Sequence, residues 1–388
     1  MRRVFVTGIG AISAIGTNVE ENVANLKAGF SQLAPAKLLK TALDIPVAEL
    51  ALTNAELTQM AGIEPKETIS RTLLFGLIAV KEAVASAKIS GKDELIFINS
   101  CTGSGIEVIE NIYQTPEQHI GSIPYFHSNE IPLQIIEALG ISRCRQFNVS
   151  TACSSSANAI MLATRLIRNG KAERILVGGN DALSRFSLNG FNALEIASPT
   201  GCRPFDQQRD GVTLGEAGAY LVLESEEAAK GKDIYAEVSG YANVNEAYHP
   251  TSTTPDGEGA KTAITEALAT AKLSASDIGY VNAHGTGTQV NDMSEALALS
   301  HTLGADTLVS STKGYTGHTL AACGALEAVY SILAIREQMA WCNNRLQQPI
   351  TEPALNLITT NQKADIEHVL SNSFGFGGND TSLIFSKV

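Results

Sequence analysis

The sequence predicts an α/β fold of two duplicated βαβ-rich halves, and three observations carry that expectation. Short β-branched runs that end in small residues alternate with long amphipathic stretches along the whole chain, the pattern of βαβ units around a largely parallel sheet. The pattern occurs twice, with similar turns after corresponding strands. The chain has 388 residues, 44% hydrophobic and 18% charged, which suits a large buried core of two packed domains and excludes a disordered protein.

In the first half the expected strands are Val4-Phe5-Val6-Thr7, Leu95-Ile96-Phe97-Ile98, Phe147-Asn148-Val149 and Ile175-Leu176-Val177. The second half repeats the plan with Tyr235-Ala236-Glu237-Val238, Tyr280-Val281-Asn282, Leu308-Val309-Ser310 and His368-Val369-Leu370. The turn after the second strand runs from Asn99 to Gly105 in one half and from Asn282 to Thr288 in the other, both rich in Gly, Ser and Thr. A period this long is not a solenoid repeat. It indicates domains 1–232 and 233–388, divided in the polar stretch Glu224 to Lys232, with strand-end loops meeting at a shared centre where pockets form.

Charge narrows the function classes. Forty acidic against 28 basic side chains give a formal charge of -12, which opposes broad binding to nucleic acid or an anionic membrane. The stretch Thr72 to Val80, between Arg71 and Lys81, falls far short of the ~20 apolar residues of a membrane span. Met1-Arg2-Arg3 followed by Val4-Phe5-Val6 reads as a first strand rather than a secretion signal, because Gly8, Gly10 and Gly16 interrupt the apolar run. Cys101, Cys144, Cys153, Cys202, Cys323 and Cys342 are scattered without a CxxC pair, which points to reduced thiols in the cytoplasm and to neither a disulfide frame nor a metal site.

The strongest local signal is Phe147-Asn148-Val149-Ser150-Thr151-Ala152-Cys153-Ser154-Ser155-Ser156. A strand stops, small residues permit a tight turn, and Ala157, Ile160, Met161, Ala163 and Ile167 follow helical spacing until Asn169-Gly170. Cys153 therefore falls at the first turn of a core helix, where the positive end of the helix dipole favours thiolate and primes the sulfur for attack. A lone cysteine is more often a small buried hydrophobe; the context argues otherwise. Two strand-end loops of the other half, Asn282-Ala283-His284-Gly285-Thr286-Gly287-Thr288 and Ser311-Thr312-Lys313-Gly314-Tyr315-Thr316-Gly317-His318, each place a histidine among small residues. The final stretch Ser371 to Asp380 adds a glycine-rich loop able to offer N–H donors to an oxyanion. Lys313 lies amid Ser, Thr, Gly and Tyr, and Glu327 sits on an otherwise apolar helix nine residues past His318, which predicts a buried ion pair between them.

These motifs resemble the condensing enzymes of the thiolase superfamily, specifically the β-ketoacyl-acyl carrier protein synthases of the KAS I and KAS II type. The resemblance runs from Arg2-Arg3-Val4-Phe5-Val6-Thr7-Gly8-Ile9-Gly10 through Cys202-Arg203-Pro204-Phe205-Asp206 and Arg209-Asp210-Gly211 to the Phe374-Gly375-Phe376-Gly377-Gly378 loop. It implies a thiolase-like fold, a layered α-β-α-β-α sandwich, and decarboxylative condensation of malonyl-carrier protein with an acyl group held on Cys153. The roles implied are malonyl chemistry for His284 and His318, with Lys313 and Glu327 as their support. An oxyanion or gating part falls to Phe376 and Gly377, pantetheine binding to Thr286 and Thr288, acyl-pocket lining or gating to Phe191 and Phe376, substrate binding also to Phe374, and charged support near Lys313 to Asp292 and Glu295. No cofactor is implied, since substrates ride on the phosphopantetheine arm of the acyl carrier protein. The implied assembly is a homodimer or a heterodimer with a chain-length factor.

The chain departs from the family pattern in places. Glu195 stands where carrier-docking enzymes often have arginine, so Arg71, Lys66 and Arg203 become the candidate basic contacts. The segment Ile106 to Ser142 is short and divergent, and Gly378-Asn379-Asp380 replaces the more usual Gly-Thr-Asn. A degradative thiolase would carry a second catalytic cysteine near the end of the chain, and Cys323 and Cys342 lie outside such a motif. A KAS III type enzyme would have asparagine at His318. A non-catalytic chain-length partner would lack Cys153, and Gly8-Ile9-Gly10 has no third glycine at dinucleotide-loop spacing.

Overall fold

The computed structural model describes residues 2–65, 69–90, 93–113, 127–141 and 143–388. The strands that carry the fold are β1 (Val4–Ser13), β2 (Leu95–Ser100), β3 (Cys144–Val149), β4 (Arg174–Asp181) and β5 (Ala217–Ser225), then β6 (Ala236–Asn245), β7 (Tyr280–Asn282), β8 (Leu308–Ser310), β9 (His368–Gly375) and β10 (Asn379–Ser386). One half has the order β3-β2-β4-β5-β1 and the other β8-β7-β9-β10-β6, which is the same order when each is counted from its own first strand. The directions repeat as well. β2 runs parallel to β3 and β4, and β5 antiparallel to β4 and β1. β7 is likewise parallel to β8 and β9, and β10 antiparallel to β9 and β6. The sheets join at a short β1–β6 seam, Phe5 opposite Glu237 and Val6 opposite Ala236.

Each half thus has a mixed sheet of five main strands, one more than the sequence pattern indicates, and the second half adds a two-residue edge strand, Asn356–Leu357, beside β8. The extra main strands are β5, which opens on Ala-Gly-Ala inside a Gly-rich stretch, and β10, which follows a glycine turn; neither begins with the β-branched run that marks the others. The polar stretch read as a divider starts inside β5, since Glu224 and Ser225 close that strand. Gly8 and Gly10 do not end β1. A Cβ at Gly8 would lie 2.3 Å from the Ala83 carbonyl oxygen and one at Gly10 2.1 Å from that of Ala79, so the glycines let a helix lie directly on the strand.

The helices that complete the layers are α1 (Arg71–Ser86), α2 (Ser155–Arg168), α3 (Arg185–Ala193), α4 (Glu258–Ala271), α5 (Gln289–Leu303) and α6 (Cys323–Glu337). α1 covers the outer face of the first sheet on β1, β4 and β5; α4, backed by α5, covers β6 and β10; α2 and α6 lie between the sheets. The result is the expected α-β-α-β-α sandwich. Strand alternation feeds both sides of the first sheet: Leu95 and Phe97 meet Phe75 and Leu77 of α1, while Ile96 and Ile98 join Ile160 and Val329 in the central layer. A fully buried side chain such as Ile160 stabilises the fold by about 1.5–3 kcal/mol. α6 is buried on every side from Cys323 to Ile335, consistent with its all-round apolar sequence. At the crossing of the two middle helices a Cβ on Gly324 would stand 2.7 Å from the Ala157 nitrogen. Among the described residues no helix is long and apolar enough to cross a membrane.

Candidate active site

The duplicated topology brings two strand-to-helix turns to one place, the turn before α2 with Cys153 and the turn before α6 with His318. Cys153 and both histidines line a cavity of about 470 Å³ together with Thr286, Thr288, Phe191, Phe374 and Phe376. The backbone bends sharply just before the cysteine, where Ala152 takes φ 52°. Ser155 stabilises that bend, its Oγ accepting from the Thr151 N–H at 2.9 Å and donating to the Ala152 carbonyl.

The structure changes the electrostatic reading of Cys153. α2 begins at Ser155 with Ser154 as its N-cap, so the cysteine precedes the helix instead of opening its first turn. Burial pushes the thiol up to about 11, although the Phe376 N–H, the Lys313 charge and the cysteine's own N–H pull it down. The resting sulfur is therefore a thiol at neutral pH, because burial outweighs the neighbouring donors and charge.

Both imidazoles are fixed as donors. The Lys313 ammonium lies 3.3 Å from His284 Nδ1, and because an ammonium can only donate, that nitrogen accepts. The Leu320 N–H donates to His318 Nδ1 at 3.0 Å. Each ring consequently carries its proton on Nε2, and the rings sit edge to face with centroids 5.5 Å apart. Burial, then Lys313 and His318, hold His284 well below the usual histidine range, and burial followed by Lys313 brings His318 to about 3. Both are neutral at working pH.

Lys313 and Glu327 form the expected ion pair, 1% and 2% exposed, and Nζ also donates to the His284 carbonyl at 2.6 Å. Burial works against the lysine's charge, yet Cys323 and Glu327 raise its pKa above the ordinary value. His284, Cys323 and Glu327 bring ligand-type atoms within 4.8 Å of one another, and the Lys313 ammonium takes the cation's place among them.

Family descriptions match on both sides of the residue 232 region: "Beta-ketoacyl synthase, N-terminal domain" over residues 1–229 and "Beta-ketoacyl synthase, C-terminal domain" over residues 235–344. The chain belongs to the β-ketoacyl synthase family. It is 33% identical over 410 aligned positions to 3-oxoacyl-[acyl-carrier-protein] synthase 2 of Staphylococcus aureus, covering 100% of this chain and 98% of that relative. Among solved structures it is similar to the ishigamide ketosynthase/chain length factor, with TM-score 0.92, 28% identity and coverage of 100% and 99%. It is also similar to a type II PKS acyl-carrier protein in complex with its ketosynthase, with TM-score 0.90, 28% identity and full coverage of both chains.

Two residue expectations for this β-ketoacyl synthase need correction, and a third is refined. The Gly377 N–H donates to the Pro250 carbonyl at 2.8 Å, so of the Phe376–Gly377 pair only the Phe376 N–H faces the cysteine sulfur. Asp292 and Glu295 support the site one step from Lys313, through the backbone of the His284 loop. They lie on α5 beneath the His284 loop, where Glu295 accepts from His284 and Gly285 N–H at 2.9 and 2.8 Å, and Asp292 from Phe205 and Gly287 N–H at 2.8 and 3.1 Å. Arg71 is no docking contact, because it is buried in an ion pair with Glu216. Lys66 lies outside the described residues, as do residues 114–126 and 142 of the divergent segment. Arg203 is tied locally to the Thr200 hydroxyl and the Gln208 carbonyl.

The remaining residues fall in the cavity wall. Thr286 and Thr288 hydroxyls are 2.9 Å apart, the Phe374 ring lies tilted against His284 with centroids 5.6 Å apart, and Phe191 on α3 lies 5.6 Å from Phe376 and 6.3 Å from His318, ring to ring. Two contributions escaped the sequence reading. Asp181, buried at the end of β4, accepts from Ala321 N–H at 2.8 Å and the Thr102 hydroxyl at 2.8 Å, tying the turn after His318 to the first half. His318 itself is clamped there, its N–H donating to the Thr213 carbonyl at 2.7 Å. Neither has a local sequence signature beyond an acidic residue after Gly178-Gly179 and a threonine near Gly211.

Proposed function

We propose that the chain catalyses decarboxylative condensation between malonyl-carrier protein and an acyl group on Cys153, in fatty-acid or polyketide chain elongation in the cytoplasm. One observation carries this: a buried thiol shares a cavity with two imidazoles that both present Nε2–H. In the first half-reaction the Cys153 sulfur bonds to the acyl carbon, the carrier thioester C–S bond breaks, and the cysteine proton leaves with the carrier thiol. The Phe376 N–H and the Cys153 N–H, both directed at the sulfur, become the oxyanion donors as the carbonyl oxygen gains charge. In the second, loss of CO2 from the malonyl thioester leaves an enolate whose oxygen accepts from His284 and His318. The enolate carbon then bonds to the acyl carbon, the bond to Cys153 breaks, and the freed thiolate takes a proton from solvent. Thr286 and Thr288 bind the pantetheine arm, and no cofactor takes part.

The partner is an acyl carrier protein. The assembly is a dimer through the edge strand β3, whose Arg145 and Phe147 are exposed on one face, with either a second copy or a chain-length factor opposite. Cys153→Ala should abolish acyl transfer, and His284→Ala should spare acylation while suppressing condensation. Mass spectrometry of acyl-enzyme and products with malonyl-carrier protein and a primer panel reads both steps; acylation of the Cys153→Ala protein, or equal loss of both steps in His284→Ala, would contradict the assignment.

A further inference from the structure

The Phe376 N–H that faces Cys153 belongs to the Gly375–Gly378 turn, and that turn leans on the segment after β6. Gly377 N–H donates to Pro250, Asn245 Nδ2 donates to the Gly377 carbonyl at 2.9 Å, and Glu246 N–H to the Gly378 carbonyl at 2.8 Å. At the foot of the turn the side chains of Glu246 and Asp380 meet, and both line the cavity. Asp380 is 1% exposed, and its Oδ2 has no donor among the described residues. A Cβ built on Gly259 would lie 2.5 Å from that oxygen and 2.6 Å from Glu246 Oε1, so the start of α4 closes over the pair. Glu246 is held as an acceptor by the Thr253 and Thr254 hydroxyls at 2.7 and 3.0 Å. Two carboxyl groups in contact can hydrogen-bond only when one keeps its proton.

We propose that Glu246 and Asp380 share one proton, and that this acid–carboxylate hydrogen bond positions the Gly375–Gly378 turn so that the Phe376 N–H meets the reacting thioester at Cys153. Asp380 is a positioning residue, and the inference rests on the assignment of Cys153 as the acylated group. The surroundings favour the proton. Glu246 faces Asp380 from the segment after β6 and Glu295 from α5, while Glu258 at the start of α4 is engaged with Lys261 at the surface. Among the described residues no Lys, Arg or His forms an ion pair with either member. Burial, then Glu246 and Glu295, raise the Asp380 carboxyl to about 9, so the pair keeps its proton at neutral pH and gives it up as the pH rises through that value.

The test follows Cys153 acylation by an acyl-carrier protein from about pH 7 to 10 in the wild type and in Asp380→Asn, whose amide supplies an N–H donor at every pH. Their ratio cancels the ionisation of the cysteine. It should hold level to about pH 8 and fall about tenfold by pH 10, roughly one unit past the midpoint; a ratio flat to pH 10 overturns the proposal. Infrared spectra provide a readout independent of turnover: the wild type at pH 7 should show a protonated carboxylic acid band that is lost in both Asp380→Asn and Glu246→Gln. Absence of that band from the wild type refutes the shared proton. Failure of the wild type to acylate Cys153 at any pH tells instead against the nucleophile assignment, and the infrared band still decides the pair.

Discussion

Lys313 Nζ stands 3.3 Å from Nδ1 of His284 while paired with Glu327, so the cation that sets the histidine's tautomer is itself anchored to the middle helix α6. The ion pair comes entirely from the second half, yet α6 packs on the first half's β5 and α2. Orientation of the imidazole is therefore coupled to the packing between halves.

Lys313→Ala should remove more than a charge. It leaves the Glu327 carboxylate buried without its partner and frees His284 Nδ1 to take the proton. Loss of one member of such a pair costs about 3–5 kcal/mol, and loss of one preorganised donor about 10²-fold or more in rate. Urea unfolding and the condensation rate check the two arms, and an unchanged unfolding midpoint would mean the pair is not desolvated as described.

Neutral imidazoles predict a distinctive acid profile. His318 has its pKa lowered to about 3 in the fold, so the unfolded chain binds more protons between there and the ordinary value near 6.5. Stability contributed by the neutral ring is present above about 6.5 and falls as the pH drops toward 3. Relative to His318→Asn, which does not titrate, the wild type should lose about 1.4 kcal/mol per pH unit across that window. Malonyl decarboxylation should show no limb near pH 6.5; a limb there attributable to His318 would sink the assignment.

Gly324→Ala should strain the crossing of α2 and α6, because the new methyl would come 2.8 Å from the Ala157 Cβ as well as close to its nitrogen. Overpacking of this kind costs about 1–3 kcal/mol. Since Cys153 and His318 lie in the turns that lead into these helices, condensation should fall further than fluorescence-monitored stability alone accounts for. Wild-type melting temperature and wild-type turnover together would show that the backbones separate freely.

Glu195 is exposed at the rim of the cavity. Glu195→Arg should tighten encounter with an acidic carrier protein, lowering KM several-fold at low salt with kcat little changed, and the gain should shrink as ionic strength rises. Equal KM values for the two proteins at low salt would place the carrier's footprint elsewhere.

That Cys153, His284 and His318 line one cavity was legible because each follows the end of a strand among Gly, Ser and Thr, the small neighbours that the proposed chemistry needs. The duplicated order of elements was legible for the same reason, through strands with β-branched starts. β5 and β10 were not, since they open on small or polar residues and owe their pairing to strands far away in the chain. That Asp292 and Glu295 act through backbone N–H groups of the His284 loop was not legible, because proximity in sequence says nothing about which side of a loop a helix covers.

What the linear chain determined by itself was composition, periodicity and the local turns that expose one thiol and two imidazoles. Only the folded arrangement decided their protonation: burial keeps Cys153 a thiol, the Lys313 and Leu320 donors fix both histidine tautomers, and burial, then Glu246, raise the Asp380 carboxyl. A pKa depends on desolvation and on the charges brought alongside, and those neighbours are set by the packing of two halves that the order of residues does not display.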